Sequence, residues 1–121
     1  MFGKLTTGLA VATLVMALAT GAQAHAMLEA ATPPVNGVVA GSPKEIRITF
    51  SEDIVAAFSG VALKGPGGGA IATGKGGLDK EGTTLIVPVT SVLKPGAYEV
   101  QWRAVSTDTH KMTGTYTFTV K

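Results

Sequence analysis

Three stretches of this chain alternate apolar and polar residues with a period of two, which restricts it to an architecture of half-buried β-strands. In residues 44–50, Ile46, Ile48 and Phe50 share one face while Glu45, Arg47 and Thr49 share the other. In 97–103, Tyr98, Val100 and Trp102 oppose Glu99, Gln101 and Arg103. In 114–120, Tyr116, Phe118 and Val120 oppose Thr115, Thr117 and Thr119. Successive strand side chains point to opposite faces, so each segment buries one row and hydrates the other. Weaker strand patterns occupy 61–64, 70–73 and 84–89, and 27–31 reads as the first strand. Pro88 has no amide to donate, so its strand must lie at an edge or end there. Turn-forming clusters at 33–37, 41–43, 65–69 and 94–96 separate the segments. No window carries a helical stripe. Short strands with turns every several residues predict an all-β sandwich of about seven strands. Tyr98, just after Pro95-Gly96 and opening a strand, fits either a tyrosine corner or an inward core aromatic.

The first 24 residues read as a secretory signal peptide. Lys4 supplies the positive start, 5–19 is uncharged and mostly apolar, and Ala22-Gln23-Ala24 is a small-x-small cleavage site. A spanning anchor needs about 20 apolar residues, and this run stops earlier, at Thr20-Gly21. Cleavage after Ala24 would leave 25–121 as one mature domain in the periplasm, with no membrane insertion and expected to be a monomer. Losing Lys4 lowers the formal charge from +2 to +1. With no basic run interleaved with aromatics, no nucleic-acid partner is indicated. The chain has no cysteine, which removes thiolate, the soft ligand for copper(I), zinc and iron–sulfur clusters. A metal site would therefore draw on His, carboxylate, Met or the amino terminus.

The segment 69–76 nearly matches a phosphate-cradling loop, but Gly76 stands where that motif needs Ser or Thr, and no helix follows. It reads as a flexible loop. Two histidines remain after the leader, His25 and His110. Each alone is an ordinary surface or core residue. Cleavage after Ala24, however, would give His25 a free α-amino group, which can chelate one metal together with its own imidazole. The α-amino pKa of about 7.7–8.0 lets a metal displace that proton near neutral pH. Asp108 and His110 are two apart, so an extended segment would project both from one face, with Asp108 either ligating or orienting an imidazole. Amine, imidazole and carboxylate donors suit copper(II), with zinc as the main competitor. Met27 and Met112 are too few for a thioether copper(I) site and read as core or surface residues. Glu52 and Asp53, adjacent after the strand ending at Phe50, point to opposite sides of an extended chain and so make no acid–base pair. They read as a solvated turn. No nucleophile elbow or Ser–His–Asp set occurs.

Several features together resemble the CopC copper-resistance family of periplasmic proteins: His25 after Ala22-Gln23-Ala24, Ala31-Thr32-Pro33, Ile48-Thr49-Phe50-Ser51-Glu52, and the block 98–110 with its W-R-x-x-S-x-D-x-H spacing, followed by Gly114. The resemblance spans essentially the whole of 25–121. It implies an immunoglobulin-like Greek-key sandwich that binds copper(II) at its amino terminus. His25 would supply amine and imidazole, His110 a second imidazole, and Asp108 a carboxylate. Glu52 matches an acidic residue near that site and would support it from behind the direct ligands. A CopD-type inner-membrane protein is the implied partner. Some members carry a Met-rich loop for copper(I), but 64–77 here contains no Met.

The leading expectation is a non-enzymatic copper(II) buffer or carrier for homeostasis or resistance. A second is a copper enzyme, because an amino-terminal His with another His also resembles the brace of lytic polysaccharide monooxygenases. A domain this small leaves little flat surface for a polysaccharide, and Asp108 would crowd the position oxygen needs. The third is a metal-free adhesion or interaction module.

Overall fold

The computed structural model describes residues 28–121 as a two-sheet β-sandwich. Nine strands occur among the described residues: β1 (Leu28–Thr32), β2 (Gly37–Val39), β3 (Glu45–Phe50), β4 (Gly60–Lys64), β5 (Ala70–Ile71), β6 (Gly77–Leu78), β7 (Thr84–Pro88), β8 (Gly96–Val105) and β9 (Lys111–Val120). One sheet runs β1-β3-β7-β6 and the other β2-β9-β8-β4-β5. The expected leader and His25 lie outside the described residues.

The alternating segments behave as predicted. Ile46, Ile48 and Phe50 of β3 are buried while their neighbours are half-buried. Tyr98, Val100, Trp102 and Ala104 of β8 lie in one core with Tyr116, Phe118 and Val120 of the neighbouring β9 and with Leu85 and Val87 of β7 from the other sheet. Pro88 closes β7, opposite Glu45, where its missing donor costs least. Both readings of Tyr98 hold. Its ring is buried and stacks on Phe118 with centroids 5.6 Å apart, and its hydroxyl donates to the Lys94 carbonyl at 2.7 Å. Two strands exceed the expected seven. β2 pairs in parallel with the end of β9, and β6 lies against β7. At three and two residues they are too short to show a period.

The glycine-rich segment contains β5 and leads into β6, not into a helix, so it lacks the element a phosphate loop requires. β8 and β9 form the longest ladder, from Gly96 opposite Val120 to Val105 opposite Lys111, and this hairpin carries the loop 106–110 at one end of the sandwich. In the ladder Gly114 faces Trp102. A Cβ at position 114 would fall 2.5 Å from the indole Cζ2, so only glycine admits that ring. Trp102 in turn meets Phe50 edge-on across the sheets at 5.3 Å, coupling the two sheets near this end.

Candidate metal centre

The loop joining β8 to β9 is built by its own backbone. The Thr109 amide donates to the Ser106 carbonyl at 2.8 Å, and the Ser106 amide donates to the His110 carbonyl at 3.0 Å. Thr109 takes a left-handed conformation, φ 72°. This is a three-residue hairpin connection, in which a turn is followed by one left-handed residue. The extended segment expected around Asp108 is therefore corrected: 107–109 is a tight loop. The hairpin must close over three residues, and the loop still brings the two side chains together. His110 Nδ1 stands 3.3 Å from Asp108 Oδ1, with both side chains largely exposed.

A second segment packs against this loop. After Phe50 the chain turns, and Ile54 is buried and forms a β-bridge with Ser106. The Thr107 amide donates to the Asp53 carbonyl at 3.0 Å, and the Val55 amide to the Val105 carbonyl at 2.8 Å. These ties set Glu52 beside the loop. One ligand atom each from Glu52, Asp108 and His110 lie within 4.8 Å of one another, which is close enough for all three to share one ion. Asp53 stays outside the cluster and is exposed, as expected for adjacent acids on opposite sides. Met112 packs against the core instead of joining the cluster.

Two carboxylates and one imidazole make a cation-attracting concentration of negative charge on a domain of nearly balanced charge. The Ser106 hydroxyl, and beside it the His110 imidazole, hold the Asp108 carboxyl below the ordinary carboxylate range, although partial loss of hydration pulls the other way. Asp108 is therefore an ionised donor at neutral pH. In the sequence Ser106 is one letter of the W-R-x-x-S-x-D-x-H block and is not marked as a site residue. Its position carried a signal, because it continues the inward row Tyr98, Val100, Trp102, Ala104 with a polar residue, and the structure buries it completely.

Known proteins share this arrangement of sequence and fold. Protein YobA of Escherichia coli strain K12 is 41% identical over 99 residues, covering 81% of this chain and 80% of its own length. Copper resistance protein C of Pseudomonas syringae pv. tomato is 40% identical over 109 residues, covering 83% of each chain. The crystal structure of PcoC, a methionine-rich copper resistance protein from Escherichia coli, matches with a TM-score of 0.71 at 36% identity, covering 78% of this chain and 97% of that one. The methionine richness is not shared, since Met27 and Met112 are the only methionines after residue 24. The CopC domain family model matches residues 28–121, and the chain belongs to the CopC family.

Proposed function

We propose that this chain is a periplasmic copper(II)-binding protein that sequesters or carries the ion through an amino-terminal histidine brace. One observation carries the reading: Glu52, Asp108 and His110, far apart in sequence, present their donor atoms within 4.8 Å of one another. Leu28, the first described residue, pairs with Phe50, two residues before Glu52, so β1 starts opposite the segment that carries Glu52. His25, which precedes β1 in sequence, is taken as the remaining donor. With its α-amine and imidazole, the donor set becomes nitrogen and oxygen with no sulfur. That set favours copper(II), which also stands highest in the divalent affinity order.

Copper here is cargo. His25 would chelate it through amine and imidazole, His110 would add a second imidazole, and Asp108 a carboxylate. Glu52 stands as near as the expected ligands and supplies a further oxygen or holds a neighbouring donor. A carboxylate at the ion leaves less open coordination for oxygen, which fits binding and transfer better than catalysis. The copper resistance proteins among its relatives support a role in homeostasis or resistance; a CopD-type inner-membrane protein is the partner that the family resemblance implies.

The test uses protein exported from the full coding sequence and purified from the periplasm, with its amino terminus read by mass spectrometry. Isothermal titration with copper(II) should show one tight site. One extra glycine before His25 should weaken it by more than the roughly 10–100-fold that loss of an outer partner costs. Unchanged binding by the extended form would refute the brace.

A further inference from the structure

Resting on the copper reading above, we propose that Ser106 is a positioning residue for the metal centre, holding the Asp108 carboxylate in binding geometry beside His110 before the ion arrives. Ser106 is completely buried just beyond β8, continuing that strand's inward row. A buried hydroxyl must find partners, and it offers one donor and two acceptor sites. Here it donates to Asp108 Oδ1 and accepts the His110 amide at 3.2 Å. The competing acceptor, the His110 carbonyl, is 3.5 Å away and at the limit of a hydrogen bond. One buried oxygen therefore connects both ligand-bearing residues of the loop.

The loop does not depend on this hydroxyl for its shape. The Ser106 amide to the His110 carbonyl, the Thr109 amide to the Ser106 carbonyl, the Thr107 amide to the Asp53 carbonyl and the bridge to Ile54 are all backbone contacts. The hydroxyl acts on the Asp108 carboxylate, whose side chain is 59% exposed and would otherwise sample several rotamers. Fixing a ligand before binding removes its ordering cost from the binding step.

The experiment compares copper(II) affinity, measured against a competing chelator, for exported wild type, Ser106→Ala, Ser106→Thr, Asp108→Ala and the Ser106→Ala/Asp108→Ala double variant. Ser106→Ala should bind roughly 10–100-fold more weakly, with a changed copper(II) electron paramagnetic resonance spectrum, and Ser106→Thr should restore both. In the Asp108→Ala background the same Ser106→Ala change should add almost nothing, because Ser106 acts through the carboxylate. Wild-type-like binding by Ser106→Ala, or an equal loss in both backgrounds, overturns the proposal while leaving the copper reading standing. Absence of tight binding by the wild type overturns both. A crystal structure of the copper-loaded wild type is an independent check that needs no variant. Asp108 Oδ1 should remain within hydrogen-bond distance of Ser106 Oγ, and a carboxylate turned away from it overturns the proposal.

Discussion

Replacing Gly114 by alanine should destabilise the domain through a single methyl group. The added Cβ would lie 2.5 Å from Cζ2, 2.7 Å from Cε2 and 3.0 Å from Nε1 of Trp102. Carbon atoms in contact prefer about 3.5–4.0 Å, so the indole must withdraw by roughly 1 Å. It has little room, because Trp102 is 7% exposed and its ring abuts Phe50, which is 1% exposed. Overpacking of this kind costs roughly 1–3 kcal/mol. Alanine offsets part of that, because leaving glycine lowers the entropy of the unfolded chain by about 0.4–1 kcal/mol where the backbone conformation suits it. Position 114 is not among the positive-φ residues, so the offset applies. At the middle of both ranges the clash prevails by about 1.3 kcal/mol, which for a domain of this size lowers Tm by roughly 5–10 °C. Trp102 is the chain's sole tryptophan, so thermal and urea unfolding can be followed by its fluorescence, with near-ultraviolet circular dichroism reporting the ring's new packing. A Tm within about 1 °C of wild type with an unchanged near-ultraviolet spectrum would refute the reasoning.

Two tyrosines should respond oppositely to loss of the hydroxyl. Tyr98→Phe removes the bond to the Lys94 carbonyl and should cost about 0.5–1.5 kcal/mol in chemical denaturation. The Tyr116 hydroxyl is buried without a hydrogen-bond partner among the described residues, and burial pushes its pKa up. Tyr116→Phe should therefore be neutral or stabilising, and a loss as large as that of Tyr98→Phe would show a hidden partner. Asp79 Oδ1 accepts the amides of Gly82, Thr83 and Thr84 at 3.0–3.2 Å, closing the loop between β6 and β7. The Thr84 amide foremost holds its carboxyl below the ordinary range. A carboxylate whose folded pKa is depressed contributes stability above its unfolded pKa, and that stability is lost as pH falls through the folded value. Asp79→Ala should lower Tm at pH 7, and its Tm should then fall less than wild type's below about pH 4 in a thermal-melt pH series.

The rows Ile46-Ile48-Phe50, Tyr98-Val100-Trp102 and Tyr116-Phe118-Val120 were legible without a structure, because a strand's two faces are a property of its own backbone. The sandwich class and the separation of Glu52 from Asp53 followed from the same local geometry, whereas at Tyr98 the sequence allows a corner or a core aromatic alike, and only the hydroxyl's bond to Lys94 shows the corner. The candidate donors Asp108 and His110 were legible as residue types, but the reason they meet was not. Asp108 lies within a three-residue loop that His110 closes, and the loop's shape follows from where the β8–β9 ladder ends. β2 and β6 owe their strand character to pairing with β9 and β7, and neither is long enough to declare a period. Glu52 reaches the cluster because Ile54 bridges Ser106 and Thr107 bonds to Asp53, contacts between segments that a linear reading cannot join. Ser106 and Gly114 acquire their roles only when a carboxylate or an indole arrives beside them. Patterns repeated along one strand are written into the chain, whereas the convergence of side chains from separate strands exists only once the two sheets have packed.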